Sequence, residues 1–164
     1  MEEYYKFVFI LDSKEYYCIW FSGEKDGFVT DGDKLKCFYD FDQLQTFALD
    51  NNIEVFDEGS ELSINLAQKW DDQKGENVDC KYFLHYWNMM SDLSYSVKES
   101  FYGDNKNSTL NKLYDKLFWG SNLPAVTPEG KEYIPIWSKK ELDELNKVVK
   151  DGLRLINSYL EIKV

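Results

Sequence analysis

The sequence predicts an α+β protein: an N-terminal antiparallel β-sheet of three to four strands packed against four to five helices. Three observations point there. The first 56 residues are dense in Tyr, Phe, Val, Ile and Trp, interrupted by short polar turns, which is the habit of strands. Beyond residue 57 the apolar residues recur every three or four positions, which is the habit of helices. A chain of 164 residues, 43% hydrophobic and 17% aromatic, is long and apolar enough to bury one core. A single domain over 1–164 follows, with a strand-rich acidic part (1–56) and a helical part (57–164).

Taken in order, Tyr4–Leu11 and Tyr16–Phe21 read as the two arms of a hairpin across the polar Asp12-Ser13-Lys14-Glu15. Phe28–Thr30 and Leu35–Tyr39 follow, separated by Asp31-Gly32-Asp33, whose Asp-Gly step favours a tight turn. Asp40 with Gln43 resembles a capping box opening a helix that carries Phe41, Leu44, Phe47 and Ala48 on one face and ends at Asn51-Asn52. Ile53–Phe56 is a further short strand. Leu62, Leu66 and Trp70 predict a helix from Glu61 to Asp71 with Ser60 as its cap. Phe83, Trp87, Met90, Ser94, Val97 and Phe101 predict the longest helix, from Cys80 to Tyr102. After the polar loop 103–107, a short helix carries Leu110, Leu113, Tyr114 and Leu117 and ends at Gly120. Ser121–Trp137 holds all three prolines and forms no regular helix. Ser138 with Glu141 caps a final helix whose stripe is Leu142, Leu145, Val149, Leu153, Ile156 and Leu160.

The formal net charge of −11 is unevenly spread. Residues 1–79 carry 19 acids and 7 bases, whereas 80–164 carry 11 acids and 12 bases. Within 40–79 there are 11 acids and only two lysines. Concentrated like charge opposes compaction and attracts a cationic partner. Asp57, Glu58, Glu61, Asp71, Asp72, Glu76 and Asp79 are therefore the expected partner-binding residues. The same charge opposes direct nucleic-acid binding, which needs a basic face. No run approaches the ~18 apolar residues of a membrane span, and the acidic start MEEYYKFVF is unlike a signal peptide, so the expected address is the cytoplasm.

Catalytic groups are scarce. His85 is the only histidine, which removes two-histidine metal sites, and its neighbours Leu84 and Tyr86 on an aromatic helix suit a packed, hydrogen-bonded residue better than a general base. Cys18, Cys37 and Cys80 form neither a C-x-x-C motif nor an even set; Cys18 and Cys37 fall in apolar strands, and Cys80 falls at a helix start, where the dipole would lower its pKa. Phosphate-binding glycine loops are absent, and Asp57-Glu58 and Asp71-Asp72 are neighbours whose side chains diverge, unlike a hydrolytic pair. No catalytic residue, metal or cofactor is expected. An enzyme built on His85 or a carboxylate pair, and an acidic nucleic-acid mimic, remain as alternatives.

The most distinctive stretch is Tyr114-Asp115-Lys116-Leu117-Phe118-Trp119-Gly120-Ser121-Asn122-Leu123-Pro124-Ala125-Val126-Thr127-Pro128-Glu129-Gly130. With Tyr86–Asp92 and Tyr133–Ser138, it resembles a family of small bacterial proteins similar to the immunity proteins of polymorphic toxin and contact-dependent growth inhibition systems. The resemblance covers about residues 80–160. It implies a non-enzymatic protein that binds and neutralises a cognate toxin domain, frequently a basic nuclease. The positions that carry it, Trp87, Asn88, Asp92, Lys116, Leu117, Trp119, Asn122, Leu123, Pro124 and Pro128, are expected to be scaffold: Asp92 paired with Lys116, Asn122 holding loop backbone, and the tryptophans packed between helices.

Overall fold

A computed structural model describes residues 1–70 and 78–160. Strands β1 (Glu3–Leu11) and β2 (Lys14–Ser22) form an antiparallel hairpin in which Leu11 faces Lys14. The link is tighter than the sequence suggests, because Asp12 and Ser13 both take positive φ, 49° and 66°, and make a two-residue turn whose twist matches the strands. β3 (Gly27–Phe28) pairs antiparallel with β2, while β4 (Thr30–Asp31) and β5 (Lys34–Leu35) form a separate small ribbon around Gly32. Beyond Leu35, the expected strand to Tyr39 reduces to one bridge between Phe38 and Tyr17.

The α+β class stands, with two corrections in its middle. β6 runs over Val55–Ser63, so the strand-rich part extends past residue 56 and the predicted helix from Glu61 to Asp71 shrinks to α2 (Asn65–Gln68). Ser60 lies inside the strand and caps nothing. Leu62 and Ile64, two apart, both enter the core, whereas Leu66 is exposed; the period of two won over the accidental period of four. β6 also pairs parallel to β1, giving a mixed sheet of order β3-β2-β1-β6.

α1 (Phe41–Asp50) begins as the sequence predicts, with the Asp40 carboxylate accepting from the Gln43 amide at 2.8 Å; the Gln43 side chain reaches back one residue further, to the Tyr39 amide. Helix α3 (Cys80–Ser96) is shorter than expected. Lys98 turns into the left-handed region (φ 59°), and the Glu99 amide donates back to the Ser94 carbonyl at 2.8 Å, closing the helix without a glycine. Val97 and Phe101 are buried all the same, which is why their spacing mimicked a continuing helix. α4 (Ser108–Gly120) is capped by Asn107 and α5 (Lys139–Tyr159) by a Ser138–Glu141 capping box.

The sheet separates two cores. Phe7, Phe9, Cys18, Phe28 and Leu62 face α3, α4 and α5 in the main core, where α3 is buried on several sides through Phe83, Tyr86, Trp87, Met90 and Leu93. On the opposite face Ile19 packs with Phe38 and Leu44 beneath α1. The helical layer is drawn tight at Gly152 of α5, where an added Cβ would fall against the Tyr86 ring and hydroxyl.

Candidate partner-binding surface

Between Asp40 and Ser63 the chain has seven acidic residues and no basic one: Asp40, Asp42, Asp50, Glu54, Asp57, Glu58 and Glu61. All seven are exposed. α1 presents its polar face because Leu44 and Ala48 are buried beneath it, and β6 presents its charges because it is the edge of the sheet, with no strand on its outer side. Tyr39 and Leu49 (77% exposed) leave apolar side chains exposed at the two ends of α1, while Phe56 of β6 is exposed on the opposite face of the sheet, against Tyr5. Lys6 reaches into the region from β1, at 2.8 Å from Asp57 and 5.0 Å from the Phe41 ring centre, and Lys36 lies over the Phe38 and Phe47 rings.

Asp57, Glu58 and Gly59 form a bulge. Tyr5 pairs with Phe56 and Phe7 with Ser60, so three residues of β6 stand opposite Lys6 alone. The bulge pushes Asp57 and Glu58 outward. Beside it, Lys6, Val8, Glu15, Tyr17, Ser60 and Glu61 line a cleft of about 240 Å³ on the α1 side of the sheet. Tyr17 donates to Glu15 at 2.9 Å, and that bond to a carboxylate raises the tyrosine's pKa.

Of the expected partner-binding set, Asp57, Glu58 and Glu61 thus lie on one exposed strand. Asp79 does other work: it caps α3 through the Tyr82 amide at 3.1 Å. Asp71, Asp72 and Glu76 lie outside the described residues. The sequence marks Asp40 only as the cap of α1, which it is, and does not single out Asp42, Asp50 or Glu54; the missing signal was that 55–63 is a strand, whose Val55 packs with Phe41 and Phe47 of α1 against the smaller core.

The family-like residues divide. Trp87 is buried edge-to-face on Tyr114, whose hydroxyl donates to Asn88 at 2.7 Å. Asn122 (φ 50°) closes the proline-containing loop, its amide bridging both backbone groups of Tyr133 at 2.7 and 2.9 Å. Asp92 does not pair with Lys116. It accepts from the Trp20 indole at 2.9 Å, and burial raises its pKa to about 6 despite that bond. Lys116 instead pairs with Glu141 at 2.9 Å, donates to the Ile136 carbonyl and lies over the Trp137 ring. Trp119 is not packed between helices. It is 50% exposed, at the mouth of an open cleft of about 590 Å³ with Lys112, Asp115, Lys116, Tyr133 and Glu141. Ile134 (85% exposed) and Ile136 (86%) are exposed in the segment that follows Tyr133, and Pro124 and Pro128 lie exposed in the preceding loop.

His85 packs against Phe7 and shares a hydrogen bond with the Glu61 carbonyl at 3.2 Å; burial lowers its pKa. Tyr82 donates to the Ser63 carbonyl in the same way. Because the Ile64 amide bonds to Ile10 of β1, the carbonyls of Glu61 and Ser63 point away from β1, and these two α3 side chains occupy the open edge there. His85 therefore holds backbone. Cys80, expected to have a lowered pKa, has a raised one, since burial and the adjacent Asp79 outweigh the helix start.

Among the described residues no three His, Cys, Asp or Glu side chains are grouped to hold a metal ion, and no helix is long and apolar enough to cross a membrane. Compared with protein-family models, with curated proteins and with solved structures, the chain matches none.

Proposed function

We propose that this chain is a protein-binding inhibitor of the immunity type, which binds a cognate toxin domain, a basic nuclease in the preferred case, and occludes its active site through the acidic surface of α1 and β6. The observation that carries the reading is the exposure of seven carboxylates over residues 40–63 with no basic residue in that stretch, together with the exposed apolar side chains Tyr39 and Leu49 at the two ends of α1. Such a surface steers a cationic partner before contact, and the apolar residues supply the desolvated centre that charge alone lacks. The function proposed is stoichiometric and needs no catalytic residue or cofactor; its setting would be the cytoplasm of the toxin-exposed cell.

The test starts from a pull-down with mass spectrometry to identify the partner, followed by association kinetics at low and high salt. Charge reversal at Glu54, Asp57, Glu58 or Glu61 should slow association several-fold, and the effect should shrink as salt shortens the screening length from about 8 Å at physiological strength. The proper control acids are Glu129, Glu132 and Asp143, which are exposed; Glu141 and Glu144 are tied to Lys116 and Lys147. Equal effects from both groups, or a rate indifferent to salt, would refute the acidic-surface reading.

A second reading rests on Trp119 and Tyr133, which expose aromatic surface at the 590 Å³ cleft, with Ile134 and Ile136 exposed in the adjoining segment. If Trp119→Ala folds normally and loses the partner while the β6 reversals do not, that cleft is the interface.

A further inference from the structure

Tyr17 and Phe38 exchange both of their backbone hydrogen bonds, 3.0 Å from the Tyr17 amide to the Phe38 carbonyl and 2.8 Å in return. They are a hydrogen-bonded antiparallel pair, so the next residues inward, Cys18 and Cys37, stand directly opposite in the position without hydrogen bonds. Cα atoms there lie ~4.5 Å apart, inside the range a disulfide spans. The side chains agree: both thiols are buried, and their sulfurs are 3.7 Å apart. Cys18 also contacts the Tyr16 carbonyl at 3.7 Å and Cys37 the Leu35 carbonyl at 3.6 Å. Rotation of the two side chains, without a change of strand register, would bring the sulfurs to bonding distance.

The location is a junction. One residue further along β2, the Ile19 carbonyl accepts from Val29 instead of from the Cys37 segment, so β2 changes partner at Cys18. The Cys37 segment runs straight into Phe38 and the cap of α1, which holds the smaller core.

We propose that Cys18 and Cys37 are a reversible disulfide site that staples β2 to the segment leading into α1, with a low-molecular-weight disulfide as the co-reactant. The chemistry balances by exchange. One cysteine thiolate attacks a sulfur of the small disulfide, forming a mixed disulfide and releasing one small thiolate. The other cysteine thiolate then attacks the protein sulfur of that bond and releases the second. The protein loses two protons and two electrons, and the small disulfide gains them as two thiols. Access requires local opening, since both thiols are covered in the closed state. The bond closes the segment from Cys18 to Cys37 and so restrains the unfolded chain. Cys80 stands apart, at the start of α3 beside Gly120.

The experiment uses the full chain under native conditions with oxidised glutathione as the probe, followed by alkylation, intact mass and tryptic mapping. Cleavage after Lys14, Lys25 and Lys36 places the two cysteines in separate peptides, 15–25 and 37–69. The expected result is a loss of the mass of two hydrogens, a cross-link joining those peptides, and a Tm raised by about 5–10 °C and restored by dithiothreitol. Cys80→Ser should behave as the parent, and Cys37→Ser should show no cross-link and no oxidant-dependent Tm. Full alkylation of both thiols after oxidation and unfolding, glutathione adducts without the cross-link, or a cross-link formed only in denaturant would each overturn the proposal.

Discussion

Gly59→Ala should be among the most damaging single-methyl changes in the chain. A Cβ at residue 59 would lie 2.7 Å from the Lys6 carbonyl carbon and closer still to its oxygen, where ordinary contacts begin near 3.4 Å. The obstacle is β1 backbone at the centre of the sheet, not the end of a flexible side chain. To admit the methyl, β6 must retreat by roughly 1 Å or more, which takes neighbouring rungs of about 2.9 Å beyond hydrogen-bonding distance. Losing two rungs at ~1 kcal/mol each, with strain on the Lys6–Asp57 pair, gives about 2–4 kcal/mol. For a chain of this size that is a fall in Tm of roughly 5–15 °C. Thermal and urea unfolding by circular dichroism measure it. Gly32→Ala is the control: its Cβ meets nothing, and only its φ of +64° is strained, at a cost of about 1–2 kcal/mol. If Gly59→Ala melts within 2 °C of the parent, by an error allowance of about half a kcal/mol, the tight bulge that thrusts Asp57 and Glu58 outward is not the arrangement of this sheet.

Asp92→Asn should raise Tm at pH 7 and leave it unchanged near pH 4. The folded-state pKa, raised to about 6 by burial, means that the charged carboxylate is disfavoured in the fold, so stability falls as pH rises from the ordinary carboxylate range through 6; a higher parent Tm at pH 7 would contradict this. His85 has the opposite sign. Its pKa is lowered by burial, so stability falls as pH drops below the ordinary histidine value, and His85→Gln should flatten that acid limb without loss of partner binding; a hundredfold loss of function with the fold intact would restore a catalytic role. Tyr86→Phe removes a buried hydroxyl that donates to the Val149 carbonyl at 2.7 Å and should cost about 1–2 kcal/mol in urea unfolding, while Gly152→Ala in the same contact should be partly rescued by it. Trp119→Ala should cost no more than about 1–2 kcal/mol, because half of its surface is already in water; a loss of 3–5 kcal/mol would show that it is anchored.

Local signals in this chain were legible wherever one residue type has one use. Asp40 and Ser138 cap helices because a short side-chain acceptor must meet the free amides of a first turn, and the prolines of 121–137 break helix by lacking the donor. The hairpin is marked by its density of aromatic and β-branched residues on either side of a polar turn, and the last helix by its period. The acidic character of the first half was likewise plain in the composition, and with it the kind of partner proposed.

What only the tertiary structure decided is where equivalent local patterns lead. Leu62-Leu66-Trp70 is as good a helical stripe as any, but β1 offers Leu62 and Ile64 a place in a sheet, and pairing with a strand fifty residues away outweighs a weak local preference. Val97 and Phe101 continue the period of α3 whether the chain goes straight or turns back at Lys98. A lysine and an aspartate in one motif do not announce each other's partners: Asp92 met Trp20 and Lys116 met Glu141, each across a helix or sheet contact that no spacing encodes. The same holds for Cys18 and Cys37, nineteen residues apart, which face each other because Tyr17 pairs with Phe38. Periodicity records which side of an element is buried; only packing determines against what.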